Sequence, residues 1–159
     1  NEGVKELLNQ SQEERDANQK EAQKVYAKAL IAAMTHMAII DGTFDKAEER
    51  EIMDAMAHFP DFKTELWELH NNIMVNKNKD NQVFNYLNDA RNQLSSEAIV
   101  NLLAQAAVIL LADGYIEKEE ETLMKEYLIA CGLPKDMYQT LIDKLKQKDV
   151  SELKEGQLN

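Results

Sequence analysis

The segment Ile39–Arg50, IIDGTFDKAEER, has a near copy 72 residues further on at Leu111–Thr122, LADGYIEKEEET. In that shift Asp41-Gly42 falls on Asp113-Gly114, Phe44 on Ile116, Asp45 on Glu117, Lys46 on Lys118 and Glu48 on Glu120. Downstream, Ile52 meets Met124 and Met56 meets Leu128. Upstream, Leu30, Ile31, Met37 and Ala38 meet Leu102, Leu103, Ile109 and Leu110. Each unit therefore reads as an apolar helix, an Asp-Gly corner and a helix with an acidic front. Neither unit can bury its apolar helix alone, and two of them pack against each other. The expectation is a single-domain, all-α bundle with an internal pseudo-two-fold repeat.

The rest of the chain agrees with that class. Asn1–Lys24 is polar, with Val4, Leu7 and Leu8 as its large apolar residues, and reads as an arm or an extended helix start. From Val25 a stripe of Tyr26, Leu30, Met34, Met37 and Ile40 recurs at three- and four-residue spacing. Five alanines (Ala27, Ala29, Ala32, Ala33 and Ala38) widen it, which predicts a buried helix with close neighbours. Further helices are expected over Lys46–His58, stopped by Pro60, over Lys63–Asn76, and from Val83 to Leu94. Another, strongly apolar, runs from a cap at Ser95 or Ser96 to Ala112. A helix over Lys118–Ala130 precedes the stop CGLP, and a last one begins at Pro134. That makes about seven or eight helices, with the domain spanning 25–147 and a charged tail over 148–159.

Composition restricts the partners. Lys and Arg number 18 against 29 Asp and Glu, a net charge of −11. No basic face for nucleic acid is expected, nor direct attachment to an anionic membrane. Cations and basic protein surfaces are the natural counterparts. The longest apolar stretch, Leu102–Ala112, is interrupted by Gln105 and is too short to span a bilayer. With no signal peptide visible, the expected location is cytoplasmic. Cys131 is a lone cysteine at a helix end, so neither a disulfide nor a thiolate metal cluster is expected. No HExxH, GxSxG or phosphate-cradling glycine loop appears, and no catalytic residues are expected.

Capping rules account for part of the corners. Asp45 is a good N-cap and Glu48 lies three residues on, as in a capping box. Glu117 is a poor N-cap. Asp41 and Asp113 stand at the C-terminal ends of the preceding helices, where the dipole disfavours a carboxylate. A tight corner would bring each of these aspartates back toward Glu48 or Glu120. Like charges so placed repel unless one is protonated or a cation lies between them. Oxygen-only donors suit Ca²⁺ or Mg²⁺ rather than Zn²⁺. The candidate metal ligands are thus Asp41, Glu48, Asp113 and Glu120, with Asp45 and Glu117 behind them. An EF-hand is excluded, because counting from Asp41 puts Lys46 at the sixth position and Ile52 at the twelfth. His36 reads as a hydrogen-bonded core or edge residue, His58 as a helix end, and His70 as a neighbour of Trp67.

The doubled pattern (hydrophobic helix, Asp-Gly, one residue, hydrophobic, acid, two residues, Glu) resembles the TerB family of tellurite-resistance proteins. The likeness runs from about Tyr26 to Pro134. It includes CGLP, which stands where the family often has a Leu-Gly-Phe-like ending. The resemblance implies a non-enzymatic helical domain of cytoplasmic stress-response systems. It also implies metal binding through acidic residues and protein partners, some of them membrane-associated. The alternative is a metal-independent interaction domain whose acidic surface docks a basic or membrane-associated partner.

Overall fold

A computed structural model describes the backbone of residues 2–158 and the side chains of residues 2–147. The side chains of the expected tail, 148–159, lie outside the described residues. Among the described residues there are seven α-helices and no strand. They are α1 (Glu2–Ile39), α2 (Lys46–Ala57), α3 (Lys63–Asn76), α4 (Gln82–Gln93), α5 (Ser96–Ala106), α6 (Lys118–Ala130) and α7 (Met137–Leu158). Short 3₁₀ turns occupy Pro60–Phe62 and Ala107–Leu111.

The centre of the bundle is the second half of α1. Ala27, Ala29, Ile31, Ala32, Ala33, Met37 and Ala38 are wholly buried, so this stretch is enclosed on every side, as its all-round apolar sequence requires. It packs most extensively on α4 and α3, then on α5. Its alanines leave room for those helices to approach closely. The first half of α1 continues the same helix through exposed residues. At 38 residues the whole helix is ~57 Å long. Lys24 and Lys28 tie its point of entry to Glu65 of α3, at 3.1 and 3.7 Å.

Polar bonds add further ties between helices. Gln105, the residue that interrupts the apolar run, accepts the Tyr26 hydroxyl at 2.5 Å and so joins α5 to α1. Arg91 of α4 donates to the Ala130 carbonyl at the end of α6, at 3.2 Å. There Gly132 turns the chain with φ +77°. Cys131 is buried at this helix end, and burial pushes its thiol up to about 11, far from the reactive range.

Two expectations about helix limits need correction. The apolar helix after Ser95 does not stay α-helical to Ala112. It tightens into a 3₁₀ turn from Ala107. The last helix starts at Met137 rather than Pro134, because Pro134 and Lys135 spend their carbonyls on turn bonds to Met137 and Tyr138, both 3.1 Å.

Candidate functional site

Each corner is built locally. At the first, α1 ends at Ile39, and Gly42 supplies the left-handed conformation of the turn, φ +87°, which glycine adopts without steric cost. The Asp41 carboxylate folds over this turn. Its Oδ1 accepts the Thr43 N–H and the Thr43 hydroxyl, each at 2.9 Å. The placement of Asp41 at a helix end, which capping rules leave unexplained, has this local turn as its cause. Asp45 then caps α2. Its Oδ1 accepts the Glu48 N–H at 2.8 Å, and Glu48 Oε1 accepts the Asp45 N–H at 3.2 Å, closing a capping box.

The second corner follows the same course with Gly114 at φ +96°. Glu120 Oε1 accepts the Glu117 N–H at 3.2 Å. The longer Glu117 side chain approaches the Glu120 N–H in the same box without closing a full cap bond. Tyr115 stands where the first corner has Thr43. A hydrogen bond to Glu117 and the charge of that carboxylate hold the Tyr115 phenol above its ordinary range.

The bundle brings the two corners together. Asp41 and Asp45 from one, and Asp113 and Glu117 from the other, line a single open cleft of about 640 Å³, with Tyr115 and Glu119. Beneath it lie Glu48 and Glu120, only 3% and 1% exposed. Burial pushes Glu48 up to about 7. The Asp45 N–H opposes this, while the charges of Asp45, Asp41 and, from the other corner, Asp113 reinforce it. Glu120 is pushed up to about 7 by burial, against the Glu117 N–H and with the charges of Asp113, Glu48 and Asp41. The crossed influences express the proximity of the corners: each buried glutamate feels an aspartate from the other unit.

Among the described residues, no lysine or arginine forms a salt bridge with any of these carboxylates. Nor are three or more His, Cys, Asp or Glu gathered closely enough to hold a metal ion by themselves. The six sequence-predicted ligands thus divide. Asp41, Asp45, Asp113 and Glu117 face the cleft, while Glu48 and Glu120 are committed to capping bonds below it. The donor chemistry is all oxygen and fits a hard cation that keeps much of its water, with one or two carboxylates as ligands, as Mg²⁺ does. It does not fit a cation that demands a closed protein cage. Glu119 and Tyr115 also line the cleft and were not singled out from the sequence. Their positions beside Asp113 and Glu117 were visible there, but an acidic first turn looks the same whichever way it faces.

The family model described as "Tellurite resistance protein TerB" matches residues 27–142 of the 159. Comparison with curated proteins and with solved structures gives no significant match.

Proposed function

The chain belongs to the TerB family of tellurite-resistance-associated helical domains, and from that premise we propose that it is a non-enzymatic binding module whose working face is the paired-corner cleft. In this reading it serves a tellurite or general stress resistance system in the cytoplasm, together with protein partners, some of them at a membrane. The observation that carries the reading is the convergence of two acidic corners, 72 residues apart in sequence, on one cleft where, among the described residues, no lysine or arginine forms a salt bridge with them. Carboxylates left so close repel, and a cation relieves the repulsion. The ligand class is a hard divalent cation, Ca²⁺ or Mg²⁺, held by Asp41 and Asp113 with Asp45 and Glu117 beside them and with water completing the shell.

Calorimetric titration with Ca²⁺ and Mg²⁺ tests this. Saturable binding is expected with a Kd on the order of 10⁻⁴–10⁻³ M, the range of weak oxygen sites. Asp41→Asn combined with Asp113→Asn should weaken it at least ~tenfold, since both cleft carboxylates are then neutral. No heat and no chemical-shift change at millimolar-order cation would remove the metal from the proposal.

The openness of the cleft and the lack of a gathered set of three ligands favour a second reading, in which the acidic face docks a basic protein surface directly. Its mark is partner binding that falls steeply with salt and ignores chelator.

A further inference from the structure

A second concavity lies behind the first corner, on the side of α1 that faces α3. It encloses about 430 Å³, within the range of small-molecule pockets. Ile39, Ile40, Phe44 and Met74 supply apolar walls, and Lys77 stands exposed at its mouth. His36 also lines it, although that residue is only 7% exposed.

The imidazole is held from behind. Its Nδ1 lies 2.6 Å from the Tyr127 hydroxyl and 3.4 Å from the Asn78 amide nitrogen. Asn78 is itself fixed, in a left-handed backbone conformation (φ 58°), by accepting the Val83 N–H on its Oδ1 at 2.9 Å. With the amide oxygen so engaged, the amide presents its N–H₂ to the ring. Nδ1 is assigned as the acceptor of both the amide and the Tyr127 hydroxyl, which places the proton on Nε2. Burial pushes His36 down to about 4, so near neutral pH the ring is uncharged and carries that one N–H. Nε2 makes no hydrogen bond among the described residues. No fully buried side-chain nitrogen or oxygen among them lacks a partner, so Nε2 is not sealed off, and His36 lines this cavity. The result is an apolar chamber with a fixed N–H donor at its base and an ammonium at its mouth.

We propose that this cavity binds a small apolar carboxylic acid, whose carboxylate accepts the His36 Nε2–H and pairs with Lys77 while its hydrocarbon body lies on Ile39, Ile40, Phe44 and Met74. An inorganic oxyanion would leave most of the wall without a partner and would find one N–H and one ammonium where it needs several donors. A hydrocarbon without an acceptor would leave the imidazole N–H unpaired and desolvated. Ile40 and Thr43 border both this cavity and the cation cleft, but His36 and Lys77 belong to this cavity and not to the cleft, so the inference does not depend on the proposed function above.

Octanoate is the probe, with 1-octanol as its uncharged counterpart, titrated into the full chain and followed by NMR of the His36 ring and of the probe. Saturable octanoate binding that shifts the His36 Nε2 resonance is expected. Lys77→Gln should weaken octanoate about tenfold while leaving 1-octanol unchanged, because only the acid loses a charge-assisted contact. Met74→Trp fills the cavity from a half-buried wall position while leaving His36, Tyr127 and Asn78 themselves unchanged, and should abolish binding with the melting temperature kept. Octanoate binding that survives Met74→Trp, or none at about 10 mM, weaker than ordinary small-ligand affinities, would overturn the site. Equal affinity for 1-octanol and octanoate, or displacement of octanoate by inorganic phosphate, would overturn the ligand class.

Discussion

At the first corner Asp41 binds the Thr43 N–H and hydroxyl, and Asp45 closes a 2.8 Å cap on α2. At the second, Asp113 is followed by Tyr115, whose phenol turns to Glu117, and Glu117 closes no cap bond of its own. The approach differs too: α1 enters its corner as an α-helix to Ile39, whereas α5 gives way to a 3₁₀ turn at Ala107. Beneath these differences the corners share a left-handed glycine and a buried glutamate that reaches back to the N–H three residues before it. The surface fastenings vary while the element that shapes the turn stays the same. A corner of this kind therefore depends on the glycine and the returning glutamate, and tolerates different means of holding its outer carboxylates.

Matched substitutions in the two units can break this picture, beginning with the core. Leu30→Ala and Leu102→Ala occupy corresponding positions that are 2% and 0% exposed. Each should cost about 2–5 kcal/mol in urea unfolding. A much smaller loss in one would mean that the units do not share the core evenly.

The buried glutamates give the next largest effect. Their folded carboxyls titrate near 7 instead of 4.5, so between those values the folded protein holds protons that the unfolded chain has released. Stability should therefore rise as pH falls from 7 toward 5 and drop as pH rises through 7. Glutamine keeps the capping geometry without the charge. Glu48→Gln with Glu120→Gln should stabilise the fold above pH 7 by roughly 1–3 kcal/mol and flatten the pH profile. Thermal melts at two pH values decide the matter, and a wild type more stable at pH 8 than at pH 5 would contradict it.

The smallest expected effect separates the caps. Asp45→Ala should cost about 1 kcal/mol, the usual loss for an N-cap. Glu117→Ala should cost under about 0.5 kcal/mol, because its approach to the Glu120 N–H falls short of a full cap bond. Equal shifts in the urea midpoints would show that Glu117 caps α6 after all.

Helices with strong punctuation were legible in the sequence. α3 and α6 run over Lys63–Asn76 and Lys118–Ala130, where the apolar stripe of the one and the Asp-Gly corner and CGLP stop around the other place them. The 3₁₀ turn at Ala107–Leu111 was not, because an unbroken apolar run carries no mark for a change of helical pitch. Pro134 misled as a helix start, since proline serves a turn as readily as a first helical position. The acidic residues of the site were legible as types and spacings. Their convergence was not, because it depends on how α1 and α6 pack, and no local pattern encodes that. The burial of Glu48 and Glu120 was equally hidden, for a charged first turn normally faces water. His36 and Tyr127 meet across 91 residues, and nothing near either one in the sequence announces the other.

Gly132 in the CGLP stop reads in the sequence as a helix ending, yet the fold asks two things of it. Its φ of +77° suits a residue without a side chain. A Cβ at this position would also come within 2.8 Å of the Arg91 guanidinium, the group that binds the Ala130 carbonyl. The missing methyl is thus a socket, and the arginine from α4 is the plug that seats in it. A cation at the C-terminal end of α6 also opposes the helix dipole there. What looks like punctuation at the close of the second unit is a joint that fastens that unit's last helix to the helix before its first.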